Sequence, residues 1–350
     1  MAFEIENGVL IIPDGVTSIG WKDFYNCSNF TKIKIPDSVT SIEDEAFSHC
    51  SSLTEIKIPD SVTSIGDRAF YCCENLTKIN IPDSVISIGD KAFNYCKSLK
   101  SITIPDSITS IGNEAFYGCK SLESVTIPDS ITSIANWAFY GCSSLTEINI
   151  PDSVTSIGDS AFSDCSSLTE IKIPDSLTSI GDWAFEYSSL KSVTIGNSVT
   201  SIGGSAFGCS SLTDITFRNI TVPFYATHAD ITRDVKDVIK MMRNEDFAVK
   251  MSHSAKYSIL CNMYCSGYSS EAFDAYFKKN FLKIFKFAID SDNTEFATKV
   301  AEQRKLITKK NIDKLIDYAR DKKKLEMSVI LMNYKNEHFG FDDPLAFLKF

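Results

Sequence analysis

The chain has 350 residues, 43% of them hydrophobic and 23% charged, which is ordinary for a globular protein long enough for two domains. Its formal charge of −10 is uneven: residues 1–221 hold 13 Lys+Arg against 27 Asp+Glu, a net of −14, and residues 222–350 hold 22 against 18, a net of +4. The acidic first part disfavours nucleic acid as a partner, because phosphate binding needs clustered Lys and Arg, and no run approaches the roughly 20 apolar residues of a membrane span.

The opening MAFEIENGVLIIPDGV has neither a basic segment nor a long apolar core, so it does not read as a signal peptide and the expectation from it is a cytoplasmic protein. Two apolar runs flank Asn7-Gly8, a pair that tolerates positive φ at both central positions of a type I′ hairpin. Residues 1–12 are therefore expected to form a capping hairpin, since the end of a stack of repeats exposes core unless it is covered.

Beyond it the sequence falls on itself when shifted by 23 residues: Ile-Pro-Asp begins at Ile12, Ile35, Ile58, Ile81, Ile104, Ile127, Ile150 and Ile173. Two altered copies, Ile195-Gly196-Asn197 and Phe217-Arg218-Asn219, follow at 22-residue steps. A fixed short period of this kind means a solenoid. In the unit that starts at Leu53, Ile56 and Ile58 alternate with polar residues, the period-two pattern of a strand with one buried face. Pro59 ends that strand because it cannot donate to a ladder, and Pro59-Asp60-Ser61 suits a turn. Val62 and Ile65 point inward from a second short extended piece. Gly66-Asp67 turns again, and Ala69 and Phe70 sit on a helical or 3₁₀ turn before Cys73 and Leu76 close the coil. About eight apolar side chains per coil give a gross burial on the order of 10 kcal/mol, an upper bound, so that each coil needs neighbours on both sides.

The period also explains the cysteines. Cys27, Cys50, Cys73, Cys96, Cys119, Cys142 and Cys165 recur once per coil, and Cys209 resumes the column after Ser188. Stacked at about 4.8 Å with parallel Cβ vectors, they suit a disulfide poorly and read as small buried hydrophobes, in keeping with a reducing compartment.

The spacing Leu-x-x-Ile-x-Ile with one Cys per coil resembles the leucine-rich repeat. More specifically, Leu145-Thr146-Glu147-Ile148-Asn149-Ile150-Pro151, Val154-Thr155-Ser156-Ile157-Gly158 and Ala161-Phe162-Ser163-Asp164-Cys165 resemble the BspA-like leucine-rich repeat family. The resemblance covers about residues 3–218. It implies a right-handed solenoid, a role in adhesion or protein recognition, and members that are often secreted or held at the cell surface.

After Phe217 the period disappears. Ile220-Thr221-Val222-Pro223-Phe224 reads as a final edge piece and linker. Val235, Val238, Ile239 and Met242 then follow the helical spacing i, i+3, i+4, i+7, with Asp230 and Thr232 as candidate N-caps. A weaker period of 31 residues lays Lys279–Asp290 on Lys310–Asp321 and Glu295-Phe296-Ala297 on Glu326-Met327-Ser328. Two helices per unit resembles an ankyrin-type hairpin, without its Thr-Pro-Leu-His signature. The fold class expected is thus an α+β repeat protein: capping hairpin 1–12, leucine-rich-repeat solenoid 13–221 and an all-α, ankyrin-like helical-hairpin domain 222–350.

No catalytic constellation stands out, and neither an enzyme nor a cofactor is expected. The chain has four histidines, of which His49 occupies a variable slot before Cys50 and reads as a surface residue. The many Ser and Asp residues have no base in register with them, which nucleophilic catalysis requires. Neither phosphate-loop signature is present. Cys261 and Cys265, at i and i+4, fit one face of a helix rather than a zinc site. Stacked Asp37, Asp60, Asp83, Asp106, Asp129, Asp152 and Asp175 are read as turn formers in preference to calcium ligands. The threonine column that includes Thr40, Thr63 and Thr155 reads as a hydrogen-bonded ladder, and Arg320-Asp321-Lys322-Lys323-Lys324 as a solvated loop.

Partner recognition is left to positions where coils differ. One candidate surface is the outward strand face, with Lys34, Lys57, Lys172, Glu55, Glu147 and Glu170, which carries no aromatic residue. The other is the turn edge, where Trp137, Tyr140 and Trp183 supply the residue types that dominate protein interfaces, against the plainer reading that they shield the core edge. The function expected is non-enzymatic recognition of or scaffolding for protein partners. Alternatives are a surface or secreted adhesin for host or matrix protein, and a regulator whose helical end docks an effector. A monomer or weak end-to-end association is expected, because in-register strands at imperfect caps invite pairing.

Overall fold

The computed structural model describes residues 4–209, 211–217, 220–223, 236–237, 239–241, 247, 253–303 and 306–340. The chain divides into two compact units, centred on Met1–Arg218 and Asp234–Phe350.

In the first unit the repeated alternation becomes a repeated three-residue strand. Ile56 is buried between exposed Glu55 and Lys57, and it pairs in parallel with Ile33 on one side and Ile79 on the other. The same pairing carries through Ser101–Thr103, Ser124–Thr126 and Glu147–Asn149, then Glu170–Lys172, Ser192–Ile195 and Asp214–Phe217. Register is fixed because a one-residue slip would turn every buried Ile outward. The hairpin is present: Glu4–Glu6 pairs antiparallel with Val9–Ile11, through a turn with Asn7 at φ 50° and Gly8 at φ 77°. Val9–Ile11 then starts the parallel ladder by pairing with Lys32–Lys34.

Two-residue strands such as Ser64–Ile65 form a second ladder, also parallel and in register. It is interrupted once. Ser18–Ile19, Ser41–Ile42, Ser64–Ile65 and Ser87–Ile88 make one sheet, Ser133–Ile134 to Ser201–Ile202 another, and Ile111 keeps a single bridge to Ile88. The slot after these strands holds Gly20, Gly66, Gly89, Gly112, Gly158, Gly181 and Gly203, but Glu43 in the second coil, whose N still donates to Ile19 O at 2.9 Å, and Ala135 in the sixth. A Cβ at Gly66 would lie 2.7 Å from the backbone N of Asp44, and at Gly112 it would lie 2.5 Å from that of Asp90. Gly112 N donates to Ile88 O at 2.9 Å and Gly158 N to Ile134 O at 2.8 Å, whereas Ala135 makes no counterpart bond to Ile111 among the described residues.

The Ala-Phe stretch is a pair of consecutive turns closed by three-residue bonds, Ala69 N to Gly66 O and Tyr71 N to Arg68 O. It does not continue as a helix because two residues per coil, such as Arg68 at φ 52° and Cys72 at φ 57°, lie in the left-handed region. Their N–H groups then point along the solenoid axis and bond the next coil: Arg68 N to Asp90 O and Cys72 N to Asn94 O, both 2.8 Å. The turn edge is thereby a third backbone ladder.

The core is a set of columns. Phe24, Phe47, Phe70, Phe93, Phe116, Phe139, Phe162, Phe185 and Phe207 stack with ring centroids 5.3–5.5 Å apart and nearly parallel planes. Beside them the cysteine thiols from Cys50 to Cys165 each donate to a Phe carbonyl of the preceding coil, at 3.0–3.3 Å. These cysteines are free thiols. The threonines form the expected ladder, with Thr155 Oγ1 donating to Thr132 O at 3.1 Å and Thr178 Oγ1 to Thr155 O at 2.9 Å. At the Pro-Asp-Ser corner the bonding side chain is mainly serine: Ser84 Oγ donates to Val62 O at 2.6 Å, while of the aspartates Asp175 accepts from Asn197 N at 2.8 Å.

In the second unit the described helices are α1 (His253–Cys265), α2 (Glu271–Asp290), α3 (Thr294–Gln303), α4 (Lys309–Asp321) and α5 (Leu325–His338). Ser270 caps α2 by accepting from Phe273 N at 3.1 Å, with Glu271 and Asp274 in its first turn. The 31-residue period is structural. Asp292 and Lys323 both have positive φ, and Asn293 N bonds Ala288 O as Lys324 N bonds Ala319 O, each at 2.9 Å. Hairpin α2–α3 stacks on α4–α5, with α2 against α4 and α3 against α5. Tyr318 OH donates to Asp290 Oδ2 at 2.9 Å and Lys324 Nζ to Asp292 Oδ2 at 2.6 Å across that stack. Cys261 and Cys265 lie together on α1. Of the helix expected from Val235 to Met242, residues 236–237 and 239–241 are helical, while Val235, Val238 and Met242 and the candidate caps Asp230 and Thr232 lie outside the described residues.

Candidate functional site

The strand face displays its charges as the alternation predicts: Lys34, Lys57, Lys172, Glu55, Glu147 and Glu170 are all exposed. They do not converge. Lys32 Nζ lies 3.2 Å from Glu55 Oε2, and the register sets Glu147 beside Ser124, Glu170 beside Ser192 and Lys172 beside Thr194. Lys57 and Lys172 are five coils apart, roughly 24 Å at strand spacing. Such exposed, isolated charges contribute little to an interface.

The turn edge is organised differently. Two neighbouring slots, three and four residues after the slot of Arg68, feed one row of rings. The first supplies Tyr25, Tyr71, Tyr117 and Tyr140. Where it instead holds buried Ser48 or Asn94, the second supplies His49 or Tyr95. Successive centroids are 5.4, 5.3, 6.5, 5.4 and 4.6 Å apart, mostly edge to face, with Tyr117 and Tyr140 stacked. Six consecutive coils thus give one ring each. His49, read from sequence as a plain surface residue, is half-buried between Tyr25 and Tyr71. Sequence reasoning missed the row because its members change column; the compensating pairs Ser48-His49, Asn94-Tyr95, Tyr117-Gly118 and Tyr140-Gly141 were the available signal.

Beside the row, the slot of Arg68 carries Lys22, Glu45, Arg68, Lys91, Glu114, Trp137, Ser160 and Trp183 in successive coils. Its early members neutralise one another, Lys22 with Glu45 at 3.4 Å and Lys91 with Glu114 at 3.1 Å. A groove of about 400 Å³ runs along it, lined by Asp67, Arg68, Asp90, Lys91, Asn113, Glu114, Asn136 and Trp137. Its floor is a ladder of side-chain acceptors: Asp44 Oδ1 takes Asp67 N and Asp67 Oδ1 takes Asp90 N, both at 2.8 Å.

The far end carries the three aromatic residues singled out by sequence. Trp137 is 39% and Trp183 46% exposed, with buried Ser160 in the coil between, and Tyr140 is half-buried. The Asp164 carboxylate beside it, together with burial, holds the Tyr140 hydroxyl well above the ordinary phenol range. Tyr117 is raised as well, first by burial and then by neighbouring Tyr95. This end is strongly acidic, residues 124–190 having one Lys, no Arg and nine Asp+Glu. The described residues of this edge form no oriented nucleophile and base; what it offers is a half-exposed aromatic surface edged with carboxylates.

Parallel in-register coils, a thiol column and a turn edge with its own backbone ladder define a β-solenoid of the leucine-rich-repeat class. The sequence profile of the BspA type leucine rich repeat region matches residues 17–146 and 132–226, in six copies, and the chain belongs to that family. Among solved structures, it is similar to a leucine-rich repeat protein from Bacteroides ovatus, with 36% identity and TM-score 0.58 over 63% of this chain and 64% of that one. It is also similar to a leucine rich cell surface protein from Faecalibacterium prausnitzii (33% identity, 61% and 74% covered, TM-score 0.48). A third is a leucine-rich repeat protein of T. pallidum (32%, 48% and 87%, TM-score 0.44). The chain thus spans less than two thirds of the Bacteroides ovatus protein's length. No curated protein matches it.

Proposed function

We propose that this is a non-enzymatic recognition protein that binds a protein partner through the turn edge of its solenoid rather than through the strand face. Membership of a leucine-rich-repeat family supports a protein-binding or scaffold role. The choice of edge rests on one contrast. The strand face presents scattered lysines and glutamates, whereas the turn edge presents a continuous row of rings ending at Tyr140, with Trp137 and Trp183 exposed in the neighbouring slot. Half-exposed aromatic side chains anchor protein interfaces at low conformational cost, and dispersed surface charges do not. Affinity capture from the native source with the full chain, its W137A/W183A variant and its K34A/K57A/K172A variant tests the reading. Loss of the captured protein with the tryptophan variant alone supports it, and loss with the lysine variant alone overturns it. Display outside the cell would make the same surface an adhesin's, which surface labelling of intact cells decides.

A further inference from the structure

The first coil shows what the turn edge does with a cation. There the slot of Arg68 holds Lys22, and its ammonium lies 4.6 Å from the centroid of the Trp21 ring and 5.2 Å from that of Tyr25, three residues on. This is cation–π geometry, in which the ring quadrupole attracts a positive charge within about 6 Å. In the sixth coil the slots of Lys22 and Tyr25 hold Trp137 and Tyr140 and the slot of Trp21 holds Asn136, so a ring stands where the first coil has its own cation. Two coils further the slot holds Trp183, roughly 10 Å along the axis at strand spacing, and buried Ser160 lies between the two indoles. Among the described residues no ammonium or guanidinium lies over Trp137, Tyr140 or Trp183. Asp164 brings a carboxylate beside the Tyr140 hydroxyl. The surrounding coils carry the nine-to-one excess of acidic residues noted above.

We infer that the aromatic and acidic end of the turn edge, Trp137, Tyr140, Asp164 and Trp183, is a receptor for lysine or arginine side chains of a basic, extended segment of a partner protein. The partner's cation meets the Trp137 and Tyr140 rings with the same cation–π contact that Lys22 makes with Trp21 and Tyr25. Rings attract the charge on their faces, the carboxylate supplies a directional acceptor, and the acidic coils raise the local concentration of a basic chain. This inference rests on the proposed use of the turn edge and adds the chemistry of what is bound there.

The test is fluorescence titration of the full chain, at about 150 mM salt to screen diffuse attraction, with a labelled octapeptide of alternating lysine and glycine and with its fully ε-acetylated counterpart. The lysine peptide is expected to bind at least tenfold more tightly than the acetylated one. W137A/W183A, which changes no charge, is expected to lose at least tenfold, D164N several-fold, and Trp21→Ala nothing. The thermal melt of each variant confirms that it is folded. Equal binding of both peptides, or undiminished lysine-peptide binding by folded W137A/W183A, overturns the inference, the latter by showing attraction to net charge alone. Saturation by choline at the same concentration as the peptide also overturns it, by assigning the site to a small quaternary ammonium. If W137A/W183A loses the natural partner in capture while the lysine peptide does not bind the wild-type chain, the edge keeps its role and only the cationic ligand is refuted.

Discussion

Gly118 leaves the space that the Tyr95 ring of the preceding coil fills: a Cβ at position 118 would lie 2.8 Å from Tyr95 Cδ1. Its φ of +68° is also costly for any residue with a side chain. Gly118→Ala is therefore expected to destabilise by about 1–3 kcal/mol, combining backbone strain with displacement of a packed ring. A denaturant melt measures the loss, and Gly141→Ala, whose Cβ would meet nothing closer than 3.8 Å, isolates the backbone part. Equal losses at the two positions would show that Tyr95 is indifferent to its neighbour.

Ala135 interrupts the second ladder, so the amide at that position is expected to exchange with solvent faster than those of Gly112 and Gly158, which are bonded to the preceding coil. Hydrogen exchange followed by mass spectrometry or NMR reads this directly. Ala135→Gly should leave that exchange fast, because Glu43 keeps the counterpart bond to Ile19 with a side chain present, and should cost under about 1 kcal/mol through the added backbone freedom of glycine. Slow exchange in the unaltered chain would refute the break.

The thiol column makes the first unit sensitive to alkali. Burial pushes Cys119 and Cys165 from 9.0 up to about 12, with hydrogen bonding from the backbone of Cys96 and of Cys142, respectively, opposing part of that shift. A thiol raised on folding stays protonated in the folded chain while the unfolded chain ionises. Its contribution is therefore complete below pH 9 and is lost as pH climbs from about 9 to 12, at up to about 1.4 kcal/mol per pH unit for each thiol. Melts are expected to fall steeply above pH 9, and Cys119→Ala should flatten that slope while lowering stability at pH 7. A thiol reagent at neutral pH should meet Cys27, Cys72 and Cys265, which are half-buried, before the eight buried cysteines.

Removing one whole period should be tolerated and removing half a period should not. Deletion of Ile58–Asn80, 23 residues, joins Lys57 to Ile81 and keeps every column in register. Stability is expected to fall by about one coil's nearest-neighbour share, with cooperative unfolding retained. Deletion of Ile58–Arg68 breaks all columns at once and should give aggregated protein. Size-exclusion chromatography and circular dichroism separate the outcomes.

Much of the first unit could be read from the chain. Ile56, Ile65, Phe70 and Cys73 recur at a fixed period, and a side chain buried in every coil varies only among small or apolar types, such as Val125 and Val193 in the Ile56 column and Ser188 in that of Cys73. The capping hairpin was legible from Asn7-Gly8 alone, because few residues accept two successive positive φ angles. Trp137, Tyr140 and Trp183 were legible as a group on the turn edge, yet their relation to Asp164 was not, since it depends on which turn residues face one another across coils. The paired left-handed residues were hidden as well. Arg68 and Cys72 are not turn formers by type, and they adopt that conformation because two backbone bonds to the next coil outweigh its local cost. In the helical unit the 31-residue period found the hairpins, which are held by apolar contacts, and gave no hint of Tyr318 on Asp290.

The alternation of rings between two slots bears on how such repeats vary over time. Selection there acts on a pair of neighbouring positions, not on either one. A tyrosine gained at position 48 would crowd His49, and a glycine at 95 would leave a gap unless a ring appeared at 94. Substitutions at these positions should therefore arrive as coupled exchanges. A repeat rebuilt from the most frequent residue in each column would average the pairs and lose the aromatic row while keeping every core contact intact.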